Sequence, residues 1–208
     1  MIKGLEQNVE LEISNSILLS TDTRFENIVL NYNGYTRHGI YARGHKLEMG
    51  NNISMKDDGC PTLIGGENGK DVDKSEIIVR SGRYTAIYGG GYLERSGVHG
   101  NVKIELYDGK VTGDIYGGSQ NTGLMSCGTT DIKLIGGEVS GIVSGASKVL
   151  GLENSNHVNI RLLGTKLNKG EVYGGYVELS EDDDNTGDIT IYVRDTYILN
   201  KLVGFTKL

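Results

Sequence analysis

Three stretches of the chain alternate strictly between apolar and polar residues: Val102-Lys103-Ile104-Glu105-Leu106, Val158-Asn159-Ile160-Arg161-Leu162 and Ile189-Thr190-Ile191-Tyr192-Val193. Ile132-Lys133-Leu134-Ile135 and Ile77-Ile78-Val79 are shorter versions. Successive side chains of a strand point to opposite faces, so a period of two predicts half-buried β-strands. Turn residues close each one, in Asp108-Gly109, Gly136-Gly137, Gly164 and Ser81-Gly82. A helical period is not seen.

A second phrase lies between these strands. It joins an aliphatic residue, a tyrosine and two glycines: Ile87-Tyr88-Gly89-Gly90, Ile115-Tyr116-Gly117-Gly118 and Val172-Tyr173-Gly174-Gly175. Looser copies are Leu63-Ile64-Gly65-Gly66, Ile142-Val143-Ser144-Gly145 and Leu202-Val203-Gly204-Phe205, with Ile40-Tyr41-Ala42-Arg43 as a degenerate first copy. The phrase returns every ~23–30 residues, the length of one coil of a parallel β-solenoid with two or three short strands. One coil cannot bury its apolar edge. Stacking coils at ~4.8 Å buries a continuous core. The prediction is an all-β, right-handed parallel β-helix of about six or seven coils. Its inward columns are predicted as Ile87, Ile115, Ile142 and Val172 in one strand, and Ile104, Leu134, Ile160 and Ile191 in another. An antiparallel sandwich or barrel is the competing fold, but only Asn33-Gly34 and Asp108-Gly109 offer good hairpin turns.

The repeat is less regular before about Met55. Val9-Glu10-Leu11-Glu12-Ile13 alternates, and Phe25, Ile28, Leu30 and Tyr32 mark another strand. Solenoid ends expose an unpaired edge and are commonly capped by atypical coils, so residues 1–24 read as a cap or lead-in and 25–208 as repeat coils. No linker composition divides the chain, which predicts a single domain, 1–208.

Composition narrows the function. Glycine fills 32 of 208 positions against a single proline, Pro61, which fits recurrent tight turns and excludes collagen. A net charge of −6 argues against a nucleic-acid partner. No apolar run approaches the ~20 residues that cross a bilayer, so membrane insertion of this segment is not expected. Cys60 and Cys127 match no zinc spacing, and two to three coils between them exceed disulfide reach, which predicts two free thiols. The first residues lack the apolar stretch of a signal peptide, as in an intracellular protein or an excised domain.

The stretch Thr23-Arg24-Phe25-Glu26-Asn27-Ile28-Val29-Leu30, followed by Ile40-Tyr41-Ala42-Arg43-Gly44-His45-Lys46-Leu47, resembles a phrase of large bacterial surface proteins. The later Ile-Tyr-Gly-Gly repeats are similar to those of adhesin-like β-helix proteins of Gram-positive bacteria. The resemblance covers most of the chain from residue 23 onward. It implies an extracellular or cell-surface location, as a domain without its signal peptide, and a host or environmental glycan or protein as partner.

Candidate chemistry is sparse. If the aliphatic residue of each phrase faces inward, the next faces out, which sets Tyr41, Tyr88, Tyr116 and Tyr173 in an outer column with glycines beside them. An exposed aromatic strip suits sugar stacking or a protein partner. The same column also fits tyrosines covered by the chain itself, because Ile64, Val143 and Val203 share it. Asp182, Asp184, Thr186 and Asp188, around the turn glycine Gly187, resemble the first half of a calcium loop. The closing glutamate is missing, since Val193 stands there, and a solvated acidic loop is the competing reading. No cofactor is expected other than this calcium. His38, His45, His99 and His157 sit in different coils without a second ligand at metal spacing. Glu94, Glu105 and Glu138 are the acidic positions open to a hydrolase reading, with no opposed pair visible in sequence. The long connections 92–101, 120–130, 146–156 and 176–187 leave the same place in each coil, where repeat proteins often put binding loops. The expectation is a non-catalytic, adhesin-like segment presenting a binding face or serving as a stalk. The alternative is a polysaccharide lyase or glycoside hydrolase on the same fold.

Overall fold

The computed structural model describes residues 1–4, 9–34, 39–92, 96–120, 128–148, 157–175, 188–195 and 199–207. All its regular elements are strands, and every strand pair is parallel. The chain is a β-solenoid. Each turn of chain contributes one strand to a first sheet and one to a third, and every turn but the last adds one to a middle face among the described residues. The first sheet stacks Ile2–Lys3, Thr23–Glu26, Lys46–Met49, Ser75–Val79, Val102–Leu106, Thr129–Leu134, His157–Leu162 and Ile189–Val193 in chain order. The third stacks Ile17–Leu18, Gly39–Tyr41, Thr62–Ile64, Ile87–Tyr88, Ile115–Tyr116, Val143–Ser144, Glu171–Tyr173 and Lys201–Val203 in the same direction.

Between them the middle face is split. Val9–Ile13, Ile28–Tyr32 and Ile53–Met55 form a three-stranded sheet. Arg83–Tyr84, Lys110–Val111, Glu138–Val139 and Lys166–Leu167 form a four-stranded one. Residues 56–61 link Met55 to the third sheet, whereas Thr85-Ala86 alone link Tyr84 to it. The cross-section therefore narrows at this step. Tyr84 is fully buried there, and its hydroxyl donates to the Ser81 carbonyl at 2.8 Å.

Alternation places the core as expected. Leu47, Ile77, Ile104, Ile132, Ile160 and Ile191 share one column of the first sheet. Met49, Val79, Leu106, Leu134 and Leu162 share the next, so Leu134 belongs two residues along from the column predicted for it. The third sheet brings a second correction. Its inward column runs Ile40, Leu63, Ile87, Ile115, Val143 and Val172, so Val143, not Ile142, fills the fifth place.

The glycines explain this phase. A Cβ on Gly65, Gly89, Gly117, Gly145 or Gly174 would press on the following glycine's carbonyl oxygen. It would also strike the first inward side chain of the next coil, in turn Ser75, Val102, Thr130, Val158 and Ile189. The bare backbone is needed because the corner passes against that side chain. Gly145 must therefore align with Gly117 and Gly174, and that alignment pulls Val143 inward. The glycines thus face the core and form no floor for a ligand.

Residues 2–18 supply strands to all three faces, in parallel register with the next coil: Ile2↔Phe25, Leu11↔Leu30 and Ile17↔Ile40. Asn27, in the left-handed region at φ 53°, breaks the stretch 23–32 into two strands on different faces.

Candidate functional site

The tyrosine column is the first place where chemistry was expected. Tyr41, Ile64, Tyr88, Tyr116, Ser144, Tyr173 and Val203 stand in register on the outer side of the third sheet. The direction is as alternation requires, but the rings are covered. Tyr41, Tyr88, Tyr116 and Tyr173 are 2%, 8%, 1% and 7% exposed. With Ile64 and Ala86, the first three build a hydrophobic cluster separate from the main core. Tyr88 stacks on Tyr116 at 5.6 Å and 10°, and Tyr92 tilts against Tyr88 at 6.0 Å.

Three of the four hydroxyls are hydrogen-bonded. Tyr116 donates to Asp114 at 2.9 Å, and Asn68 donates to the Tyr41 hydroxyl at 2.9 Å. Tyr173 donates to Glu171 at 3.2 Å while the Lys201 ammonium lies 5.1 Å from its ring centre. Burial raises the Tyr88 and Tyr41 hydroxyls above the ordinary phenol range. An open stacking strip is therefore not formed. The physical reason is that Tyr88 packs between Tyr116 and Tyr92, Tyr41 joins the same cluster through Ile64, and Lys201 lies over the Tyr173 ring.

The outer side of the first sheet is an ion-pair lattice. Glu48, 8% exposed, receives Arg80 Nε at 2.8 Å and Arg24 at 3.2 Å, with Lys46 at 3.9 Å. Burial would raise its carboxyl, but the Arg80 hydrogen bond and the charges of Arg24, Arg80 and Lys46 outweigh burial and hold it below the ordinary range. Lys103 carries the lattice on to Glu76 at 3.3 Å and Glu105 at 3.4 Å. Arg80 also lies 4.4 Å over the Tyr107 ring. Each exposed pair is worth ~0–1 kcal/mol, so the face ties strands together and converges on no point.

A groove at the corner between the third and first sheets is different. It spans three coils, from Ser20 through Arg43, Gly44 and His45 to Glu67 and the stretch 70–74. Arg43 pairs with Glu67 at 3.0 Å. Asp71 accepts the Gly97 N–H at 2.8 Å and faces His99 at 3.4 Å, and His45 stands 3.8 Å from Asp22. Lys70 and Lys74 are exposed and enter no ion pair among the described residues. Asn27, Asn52 and Asp195 occupy the left-handed region as short polar residues can, but Arg43 does so at φ 55° with a long side chain. Such strain costs about 1–3 kcal/mol. Arg43 Nε is also buried without a hydrogen-bond partner. Apolar spacing does not mark this groove. Its only sequence signal is the alternating charge of Lys70-Asp71-Val72-Asp73-Lys74 around one buried valine.

The remaining sequence candidates lie apart. Asp188 is exposed and pairs with Lys207 at 3.2 Å, while Asp182, Asp184 and Thr186 lie outside the described residues. Among the described residues no group of three or more His, Cys, Asp or Glu is arranged to hold a metal ion. Glu105 is bound into the first-sheet lattice, and Glu138 pairs with Lys110 at 3.0 Å and accepts from Asn168. His157 faces Asp188 at 3.9 Å. His38, Glu94, Cys127 and most of the long connections lie outside the described residues. Cys60 is half-buried, a free thiol 3.6 Å from the Thr85 hydroxyl. No helix among the described residues is long and apolar enough to cross a membrane. No protein-family model, curated protein or solved structure matches the chain.

Proposed function

We propose that the chain is a non-catalytic, adhesin-like segment of a bacterial surface protein, serving as a stalk or presenting a glycan- or protein-binding face. The observation that carries this reading is the unbroken parallel pairing of the first and third sheets along the described chain. The ion-pair lattice and the tyrosine stack run along the same axis and join coil to coil. A body of this kind transmits load and holds its sides at fixed spacing. On this reading the winding is right-handed, the first turn closes the N-terminal end of the stack, and the location is extracellular or at the cell surface. The resemblance of the 23–47 stretch to surface-protein repeats adds support.

The competing activity, polysaccharide cleavage, requires two carboxyl groups opposed across a sugar, or a cation with nearby bases. Glu48, Glu105 and Glu138 are each held by cationic partners instead. The test is a panel of plant, host and bacterial polysaccharides, assayed together for binding and for release of reducing ends or unsaturated products. The reading expects no turnover on any member, with and without added calcium. Product release would overturn it. Calcium at the acidic loop around Asp188 is tested in the same samples, by a shift of the melting temperature on addition of the ion.

A further inference from the structure

The corner groove sets an arginine of left-handed backbone beside two exposed lysines that enter no ion pair among the described residues. One wall carries Arg43, one third exposed, in a backbone conformation that long side chains avoid. The stretch stacked on it carries those two lysines, Lys70 and Lys74. Acceptors share the groove: Glu67, paired with Arg43; Asp71, which accepts the Gly97 N–H and faces His99; and the exposed Asp73. A purely cationic pocket would suit a bare phosphate or sulfate. Cations interleaved with acceptors suit a ligand that brings an acid group and hydroxyls together. The groove has no exposed aromatic ring among its lining residues, so recognition would run through charge and hydrogen bonds and not through stacking.

We propose that this groove binds an acidic saccharide unit, its carboxylate or sulfate held by Arg43, Lys70 and Lys74 and its hydroxyls by Glu67 and Asp71. The assignment rests on the display reading above and narrows it to one ligand class and one place. It also accounts for Arg43. A strained backbone persists where the side chain it positions is needed, and Arg43 lines the groove beside Glu67.

The experiment uses the full 208-residue chain and titration calorimetry with four probes: a uronic-acid oligosaccharide, a sulfated oligosaccharide, a neutral oligosaccharide of equal length, and inorganic sulfate. At least one acidic oligosaccharide should bind, weakening as salt rises, with the neutral one and inorganic sulfate much weaker. The double reversal Lys70→Glu with Lys74→Glu should lower that affinity by about tenfold or more, and Lys3→Glu should leave it unchanged. Arg43→Gly should also lose binding while melting at the same temperature or higher, because glycine relieves the left-handed strain. A merely structural Arg43 would show the reverse, a lower melting temperature with binding intact. The proposal is overturned if no acidic oligosaccharide binds at millimolar concentration, if the double reversal leaves affinity unchanged, or if inorganic sulfate binds as tightly as the sugars. Cleavage of a probe in the same cell would overturn the non-catalytic reading instead, leaving the groove to be judged on the affinities.

Discussion

Replacing Gly117 by alanine asks whether the corner glycines carry the stacking. The added Cβ would stand 2.5 Å from Thr130 Cγ2 and closer still to the Gly145 carbonyl oxygen. Ordinary contact begins near 3.4 Å, so both neighbours must retreat by about 1 Å. Neither is a free side-chain end. Gly145 is backbone of the next coil, and Thr130 is a buried, β-branched residue in the next first-sheet strand. Overpacking a filled interior costs ~1–3 kcal/mol. The shift also strains the bonds from Gly117 N–H to Ser144 O at 2.8 Å and from Gly145 N–H to Tyr173 O at 2.9 Å, each worth ~1 kcal/mol. We expect a loss of about 3 kcal/mol, read from urea unfolding followed by circular dichroism. Gly69→Ala is the control. Its Cβ meets nothing within 4 Å, and only its φ of 70° resists, so it should lose about 1 kcal/mol. If Gly117→Ala loses no more than Gly69→Ala, the close-approach argument is wrong.

Tyr116→Ala should cost ~3–5 kcal/mol by opening a cavity beneath Tyr88, whereas Tyr116→Phe gives up only the hydroxyl bond to Asp114, ~1 kcal/mol; denaturant titration of both separates packing from hydrogen bonding. The Glu48 carboxyl lies below its ordinary 4.5 in the folded chain, so its share of stability is complete above that value and is lost as pH falls through the lowered one. Glu48→Gln should flatten the stability profile in that acid window, measured by thermal melts across pH, and an unchanged slope would refute the assignment. On the alkaline side, burial raises Tyr84 and Tyr88 in the fold and holds Tyr32 at about 12. Stability should therefore fall once pH rises above 10, where the unfolded phenols ionise first, and absorbance titration should find these rings protonated until the chain unfolds.

The parallel stacking could be read from the alternation and from the returning glycine phrase, because both are periodic and local. The phase of the fifth phrase could not be read from its aliphatic residues, since Ile142 and Val143 are equally fit for the core. It becomes readable when glycines are aligned, as the corner tolerates no Cβ at Gly145. The narrowing after Met55 has no apolar signature, because it depends on the length of residues 56–61. The tyrosines divide along the same line. Alternation told which side of the sheet they leave from, and only the tertiary structure tells that Tyr88, Tyr92 and Tyr116 cover one another. The corner groove was least legible, because Arg43 and Lys70–Lys74 meet only after the coils stack.

Under the proposed function this solenoid works on the outside of a bacterial cell. Antibodies raised against the folded chain and applied to intact, unpermeabilised cells of the source organism test it most directly. The account predicts labelling of intact cells, lost after brief surface proteolysis. Labelling that appears only after permeabilisation would contradict it.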